Sequence, residues 1–173
     1  MSEKLVKCRY SKCKYLHSSN ELKKEDAVKG GSKNSYYHPD CWEISQTINQ
    51  IKTTFCEDVD PTLTSKQIGS LMNIINNLVY SKGIAPDYIL FALNYYIKNK
   101  PGSLRYPGGI AYIVQNKDVQ LLWENEQKKK VEKSLKEEMK KNQNVDMNID
   151  LDLPDKTPDK LNNRTRFSSV LGL

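Results

Sequence analysis

Apolar residues recur through the middle of this chain at helical spacing. Ile68, Leu71, Met72, Ile75, Leu78 and Val79 fall at i, i+3, i+4 and i+7 positions, which predicts a helix over 64–82 with one buried face. Thr64, followed three residues later by Gln67, has the pattern of a capping box, and Gly83 is a natural stop. Pro86 and Asp87 open a second helix over 86–99, with Ile89, Ala92, Leu93, Tyr96 and Ile97 on its apolar face and Phe91 and Tyr95 widening it. Upstream, Ile44, Ile48, Ile51 and Phe55 repeat with the same period behind Pro39, whose fixed φ suits a first helical turn, and His38 and Cys41 are expected three residues apart on that turn. Downstream, Pro101, Gly102, Pro107, Gly108 and Gly109 exclude a helix and make 101–109 a loop. Ile110, Ile113, Val114, Leu121 and Leu122 then predict a third helix, broken near Asn116, with a strand at 111–114 as the competing assignment.

From Trp123 to Lys141 the pattern changes. Glu124–Lys128, Glu126–Lys130, Glu132–Lys136 and Glu137–Lys141 are i, i+4 pairs in the favourable order, and Val131, Leu135 and Met139 leave only a thin apolar stripe. A solvated helical extension is expected there, with a partner-binding coiled coil as the alternative. Beyond Asn142 the chain is polar and contains prolines, as a disordered tail would. Within it, 149–153 alternates like a strand that could add to a partner's sheet, and Phe167 with Val170 and Leu171 is a second short apolar motif; an inert tail accounts for both equally well.

Composition narrows the classes. Of 173 residues, 38% are hydrophobic and 28% charged, and the mean hydropathy is −0.70. That is too polar for one large core and fits a small module, a compact helical domain and appendages. No segment has the length and apolarity of a membrane span, so a cytoplasmic protein of a bacterial or host cell is expected, with no membrane partner. The net charge of +6 favours nucleic acid or an acidic protein surface as partner.

The N-terminal third carries the most specific chemistry. Cys8 and Cys13 are followed, after 24 intervening residues, by His38 and Cys41, giving C-x4-C and then H-x2-C. Three thiols and one imidazole are a tetrahedral zinc set, and zinc is the expected cofactor. Such a closed site is structural, since no position remains for substrate water. His17 is the alternative ligand, four residues after Cys13, while Cys56 is expected to pack as a small apolar group. Gly30-Gly31 and Ser32-Lys33-Asn34 predict a hairpin turn, with 35–37 returning toward the metal.

These residues are similar to a treble-clef zinc finger, and more narrowly to half of a LIM domain or a PARP-type finger, over residues 8–55. The first pair differs, being C-x4-C where those families have C-x2-C. Related fingers bind DNA, broken DNA or only proteins, so the resemblance implies the fold and the metal without choosing a target. The layout of 64–123 is similar, with no diagnostic motif, to helical modules of replication-initiation and helicase-loading proteins of Gram-positive bacteria and their phages.

The expected fold class is therefore mainly α with a small zinc-bound β-hairpin. A treble-clef-like module with its helix occupies 1–57, a helical domain 62–122, a charged helical extension 123–141 and a disordered tail 142–173, with 57–61 as a linker. No catalytic set assembles around either histidine, and Gly108-Gly109 lacks the Lys-Ser/Thr of a phosphate loop, so a non-enzymatic protein without a small-molecule substrate is expected. A helix-turn-helix at 64–99 is disfavoured, because the second helix carries aromatics where a recognition helix is polar. Lys7, Arg9, Lys12 and Lys14, with Tyr10 between them, form one basic and aromatic footprint, and Arg105 with Tyr106 in the Pro/Gly loop forms another. Lysines that merely offset thiolate charge are an equal account of the first. The function expected is binding of DNA or a DNA-bound complex, as a phage or mobile-element replication or regulatory factor. The alternative is a protein-interaction module that inhibits or redirects a host complex.

Overall fold

The N-terminal strands are short because the sequence there offers few apolar positions to bury. In a computed structural model, which describes residues 4–15, 20–31 and 35–146 with side chains to residue 140, Leu5–Lys7 (β1) pairs antiparallel with Glu21–Lys23 (β2). Val28–Lys29 (β3) pairs antiparallel with Tyr36–Tyr37 (β4). The second pair is the hairpin expected on either side of the Gly-Gly turn. The first pair was not legible, since its alternation rests on two half-buried residues, Val6 and Leu22, in register with each other. A parallel bridge between Cys8 and Tyr36 ties the two pairs together.

Helix α1, Pro39–Thr54, starts with proline in its first turn. His38 precedes it as the N-cap in extended backbone (φ −61°, ψ 145°), so the histidine sits one position outside the helix rather than on its first turn. Apolar Ile48 and Ile51 are buried, and α1 runs on into a π-helical turn, Phe55–Val59, closed by Asp60 N–H donating to the Phe55 carbonyl at 3.0 Å. The linker expected at 57–61 is thus helical as far as Val59. Cys56 and Val59 pack against the core in this turn, beside the fully buried Phe55.

Helix α2, Ser65–Asn76, begins at the capping box: Gln67 N–H donates to Thr64 Oγ1 at 3.4 Å and Thr64 N–H to Gln67 Oε1 at 2.9 Å. It too ends in a π-helical turn, Asn77–Ser81, and Gly83 then adopts φ +67°, a left-handed conformation that glycine adopts without a side-chain clash. Helix α3, Pro86–Asn99, has the expected bounds. Helix α4, Gly109–Ile113, and helix α5, Lys117–Asp146, replace the strand considered at 111–114. The break between them falls at Asn116, whose Oδ1 accepts from the N–H groups of Asp118 (2.9 Å) and Val119 (3.4 Å) and so starts α5.

The chain divides into two compact units, one reaching Lys130 and the other starting at Val131. In the first, the larger apolar core gathers Ile48, Ile51 and Phe55 with Leu71, Ile75, Ile89, Leu93, Ile110, Ile113 and Val119. The face of α1 opposite its ligand end is therefore part of the helical core. Cys56 packs against this core as a partly buried side chain. Two buried polar groups are satisfied within it: Tyr88 Oη donates to the Val114 carbonyl (3.0 Å), and Asn116 Nδ2 donates to Tyr96 Oη (2.9 Å). In the second unit, Val131, Leu135 and Met139 are exposed, and Lys133–Glu137 forms an ion pair at 4.0 Å. Among the described side chains, Glu124–Lys128, Glu126–Lys130 and Glu132–Lys136 do not close. On a fully solvated helix face such pairs gain little against side-chain entropy. No helix among the described residues is long and apolar enough to cross a membrane.

Candidate metal centre and basic surfaces

Each candidate ligand arrives on a different local structure. Cys8 follows β1, and its N–H donates to the Asn20 carbonyl at 2.8 Å. Cys13 closes a tight turn in which its N–H donates to the Tyr10 carbonyl at 3.1 Å. His38 caps α1, and Cys41 lies in the first turn of that helix. The separation of His38 from Cys41 by two residues lets the chain change from extended to helical while both side chains face one point.

The four donor atoms lie within 4.8 Å of one another. Cys13 Sγ is 3.5 Å from His38 Nδ1, Cys41 Sγ is 3.7 Å from Cys13 Sγ, and Cys41 Sγ is 4.0 Å from His38 Nδ1. A tetrahedral ion with metal–sulfur bonds of ~2.3 Å and metal–nitrogen bonds of ~2.0–2.1 Å has edges of about 3.8 Å between sulfurs and about 3.6 Å between sulfur and nitrogen. Those three separations lie within about 0.4 Å of the corresponding edges, and every other donor pair falls within 4.8 Å. The three cysteines are buried and unbonded to one another. Burial, with the neighbouring Cys13 and Cys8 thiols adding to it, pushes the Cys41 thiol up to about 12. A divalent cation bound among the sulfurs would reverse that balance by holding them as thiolates. The donor set therefore fits a metal ion of tetrahedral preference.

Aromatic and charged neighbours hold the ligands in place. The Tyr15 ring packs on the His38 imidazole, 4.4 Å between centroids, and Tyr15 Oη donates to Asp40 at 3.3 Å. Lys14 Nζ also donates to Asp40, at 2.5 Å. That contact raises the lysine and lowers the carboxyl from their ordinary ranges, each mainly through the hydrogen bond between them. Lys14 is thus engaged with the first turn of α1. Lys7 faces Glu21 at 3.7 Å. Tyr10 packs against the cysteine cluster, and its hydroxyl is hydrogen-bonded to that of Tyr80 in the π-helical turn after α2. Arg9 and Lys12 are exposed and have no ion-pair partner among the described residues.

Two hollows take in part of the basic footprints, and Tyr10, Lys12 and Lys14 line neither. Val6, Lys7, Cys8, Arg9, Asn20 and Tyr36 line one of ≈ 450 Å³. Lys24 Nζ lies 5.9 Å from the centroid of the Tyr36 ring at its edge. The other, ≈ 380 Å³, is lined in part by Arg105, Tyr106 and Tyr112. Asn20, Tyr36 and Tyr112 were not singled out from sequence. For Tyr112 a signal existed: it lies between Ile110 and Ile113 and so must face away from the side they bury. His17 lies outside the described residues, as do the motifs at 149–153 and 167–171 and nearly all of the tail expected from 142.

Comparison with protein families, with curated proteins and with solved structures gives no match.

Proposed function

We propose that this chain is a zinc-stapled, non-enzymatic DNA-binding protein. Zinc is favoured over other tetrahedral ions by the three-thiolate, one-imidazole donor set. The order of the turn between Cys8 and Cys13 (the knuckle), hairpin β3–β4 and helix α1, with His38 and Cys41 at the helix start, supports a finger of treble-clef type. A role in replication or regulation, of the phage or mobile-element kind, belongs to the same proposal and is supported by charge and layout of the sequence alone.

The observation that carries DNA binding is the ≈ 450 Å³ cleft beside Cys8, where Lys7 and Arg9 stand with the Asn20 amide and the Tyr36 ring. Cations meet phosphate there, and an amide and an aromatic ring meet base or sugar. The Lys7–Glu21 pair does not oppose this, because both side chains are well exposed, 70% and 43%, and a phosphate can displace the carboxylate. Anisotropy titrations of the zinc-loaded protein against labelled DNA at two salt concentrations test it. Arg9→Glu with Lys12→Glu is expected to weaken binding more than tenfold and to flatten the salt dependence. Absence of binding at low salt removes the proposal.

The exposed Val131, Leu135 and Met139 of the second unit support a second reading, in which the chain docks on a host protein. Stoichiometric photo-crosslinking from position 135 in host lysate, abolished by Val131→Lys with Met139→Lys, is its expected signature.

A further inference from the structure

The Pro/Gly loop is a rigid mount that turns two aromatic rings outward. Leu104, Pro107 and Ile110 are buried and pin the loop to the core. Between and beyond them Tyr106 and Tyr112 are 67% and 73% exposed, although both are large rings that burial would favour. Neither hydroxyl has a hydrogen-bond partner among the described residues. The loop between the pins is fixed by its own bonds: Ser103 N–H to the Lys100 carbonyl (3.1 Å), Gly109 N–H to the Tyr106 carbonyl (2.9 Å), and Gly102 at φ +75°. Arg105 Nε donates to the Gly102 carbonyl at 3.2 Å, which orients the guanidinium and leaves its terminal nitrogens for another acceptor. Lys100 Nζ lies 5.2 Å from the centroid of the Tyr96 ring, and Tyr96 lines the same hollow. None of the residues lining that hollow is acidic.

We infer that the loop and α4 form a binding site for single-stranded nucleic acid, with Tyr106 and Tyr112 as stacking platforms and Arg105 as the phosphate contact. The inference rests on the DNA-binding reading above and gives it a strand type and a second contact region. Flat exposed rings beside a fork of cationic donors match a ligand that carries both aromatic faces and negative charge. In a duplex those faces are already stacked on their neighbours, so the site selects unpaired bases. A peptide has no open strand edge to pair with here, since the lining comes from helices and turns, and the positive lining selects against basic segments.

The test is anisotropy of the zinc-loaded full chain with labelled oligothymidine, with the same length of duplex, and with oligoglutamate as competitor. The thymidine strand is expected to bind better than duplex. Tyr106→Ala and Tyr112→Ala are each expected to weaken it about tenfold, and the corresponding Phe variants to keep wild-type affinity. Arg105→Ala is expected to lower the salt slope by about one. Circular dichroism of the exposed-residue variants monitors their folding, and the Phe variants keep the test valid should an Ala variant misfold. Undiminished binding by Tyr106→Ala with Tyr112→Ala, a preference for duplex, or displacement by oligoglutamate overturns this site. If Arg9→Glu with Lys12→Glu alone abolishes binding while those tyrosine variants do not, the knuckle reading stands and this one falls. Failure of every nucleic acid to bind removes both.

Discussion

The cysteine cluster and the helical core hold their parts of the chain by different means. Around the cysteines, the buried side chains are Cys8, Cys13 and Cys41, with Tyr10, Tyr15, Leu22 and Tyr37 packed against them. Strands of two or three residues supply the rest. Burial of that extent cannot offset the entropy of ordering the knuckle and hairpins. In the core, Phe55, Ile51, Leu71, Ile75, Ile89, Leu93, Ile110 and Ile113 are fully buried, and each contributes on the order of 1.5–3 kcal/mol by leaving water. The difference teaches that the module lacks the apolar burial that stabilises the core, so on the zinc proposal metal binding and folding of the module are coupled. Helix α1 joins the two, carrying Cys41 at one end and Phe55 just past the other.

The largest expected effect breaks this contrast most directly. Removing zinc with a chelator, or substituting Cys41→Ser, is expected to unfold the knuckle and hairpins, since structural zinc contributes roughly 10–16 kcal/mol of apparent binding energy at neutral pH. Helix α3 and the core half of α1 should persist. Hydrogen exchange is the measurement: protection lost at Cys8 and Arg9 amides but kept at Ile89 to Tyr96. Loss of protection in both regions together would show one cooperative unit.

Next comes the core. Phe55→Ala is expected to cost about 3–5 kcal/mol in denaturant unfolding, because the ring is fully buried and its cavity cannot collapse freely. Zinc stoichiometry by elemental analysis should stay at one per chain, which would locate the loss outside the module.

Gly30→Ala probes the module without touching a ligand. A Cβ there meets the Tyr37 ring and comes within 3.2 Å of Trp42, and those two rings pack 5.0 Å apart. Overpacking of this kind costs about 1–3 kcal/mol. Zinc affinity should fall, while the thermal transition of the helices moves little.

The smallest effects sharpen the join between the regions. Tyr10→Phe and Tyr80→Phe each remove one side of a hydroxyl pair, worth about 0.5–1.5 kcal/mol. A double-mutant cycle with zinc affinity as readout should show that the two are not additive. For pH, Asp40 is held below its ordinary value by Lys14. Its contribution is present above the ordinary carboxylate pKa and is lost as pH falls through the lowered value. The pair is well exposed, so Asp40→Asn should remove only a slight steepness in zinc release on acidification, most of which comes from protonation of the ligands.

Much of the site was legible in the sequence because metal chemistry accepts few residue types. Cys8, Cys13, His38 and Cys41 are brought to one point as their spacing implied. The hairpin pair β1–β2 was not legible, because Val6 and Leu22 make too short an alternation to stand out from loop. Nor was the engagement of Lys14 with Asp40 or of Tyr10 with Tyr80, since ion pairs and hydroxyl contacts across 26 or 70 residues leave no periodic trace.

By itself the sequence determined the candidate ligand quartet, the helical stretches 64–82 and 86–99 with the capping box at Thr64, and the loop that runs from 101 to Gly108. These follow from local rules: donor chemistry, a 3.6-residue period, and the conformational limits of proline and glycine. Only the tertiary structure decided that α1 belongs to the helical core, that the helical path runs on to Val59 where a linker was expected, and that Tyr106 and Tyr112 share one hollow. Those outcomes depend on which surfaces meet. That is settled by the total apolar area removed from water over the whole fold, a quantity no local window of residues contains.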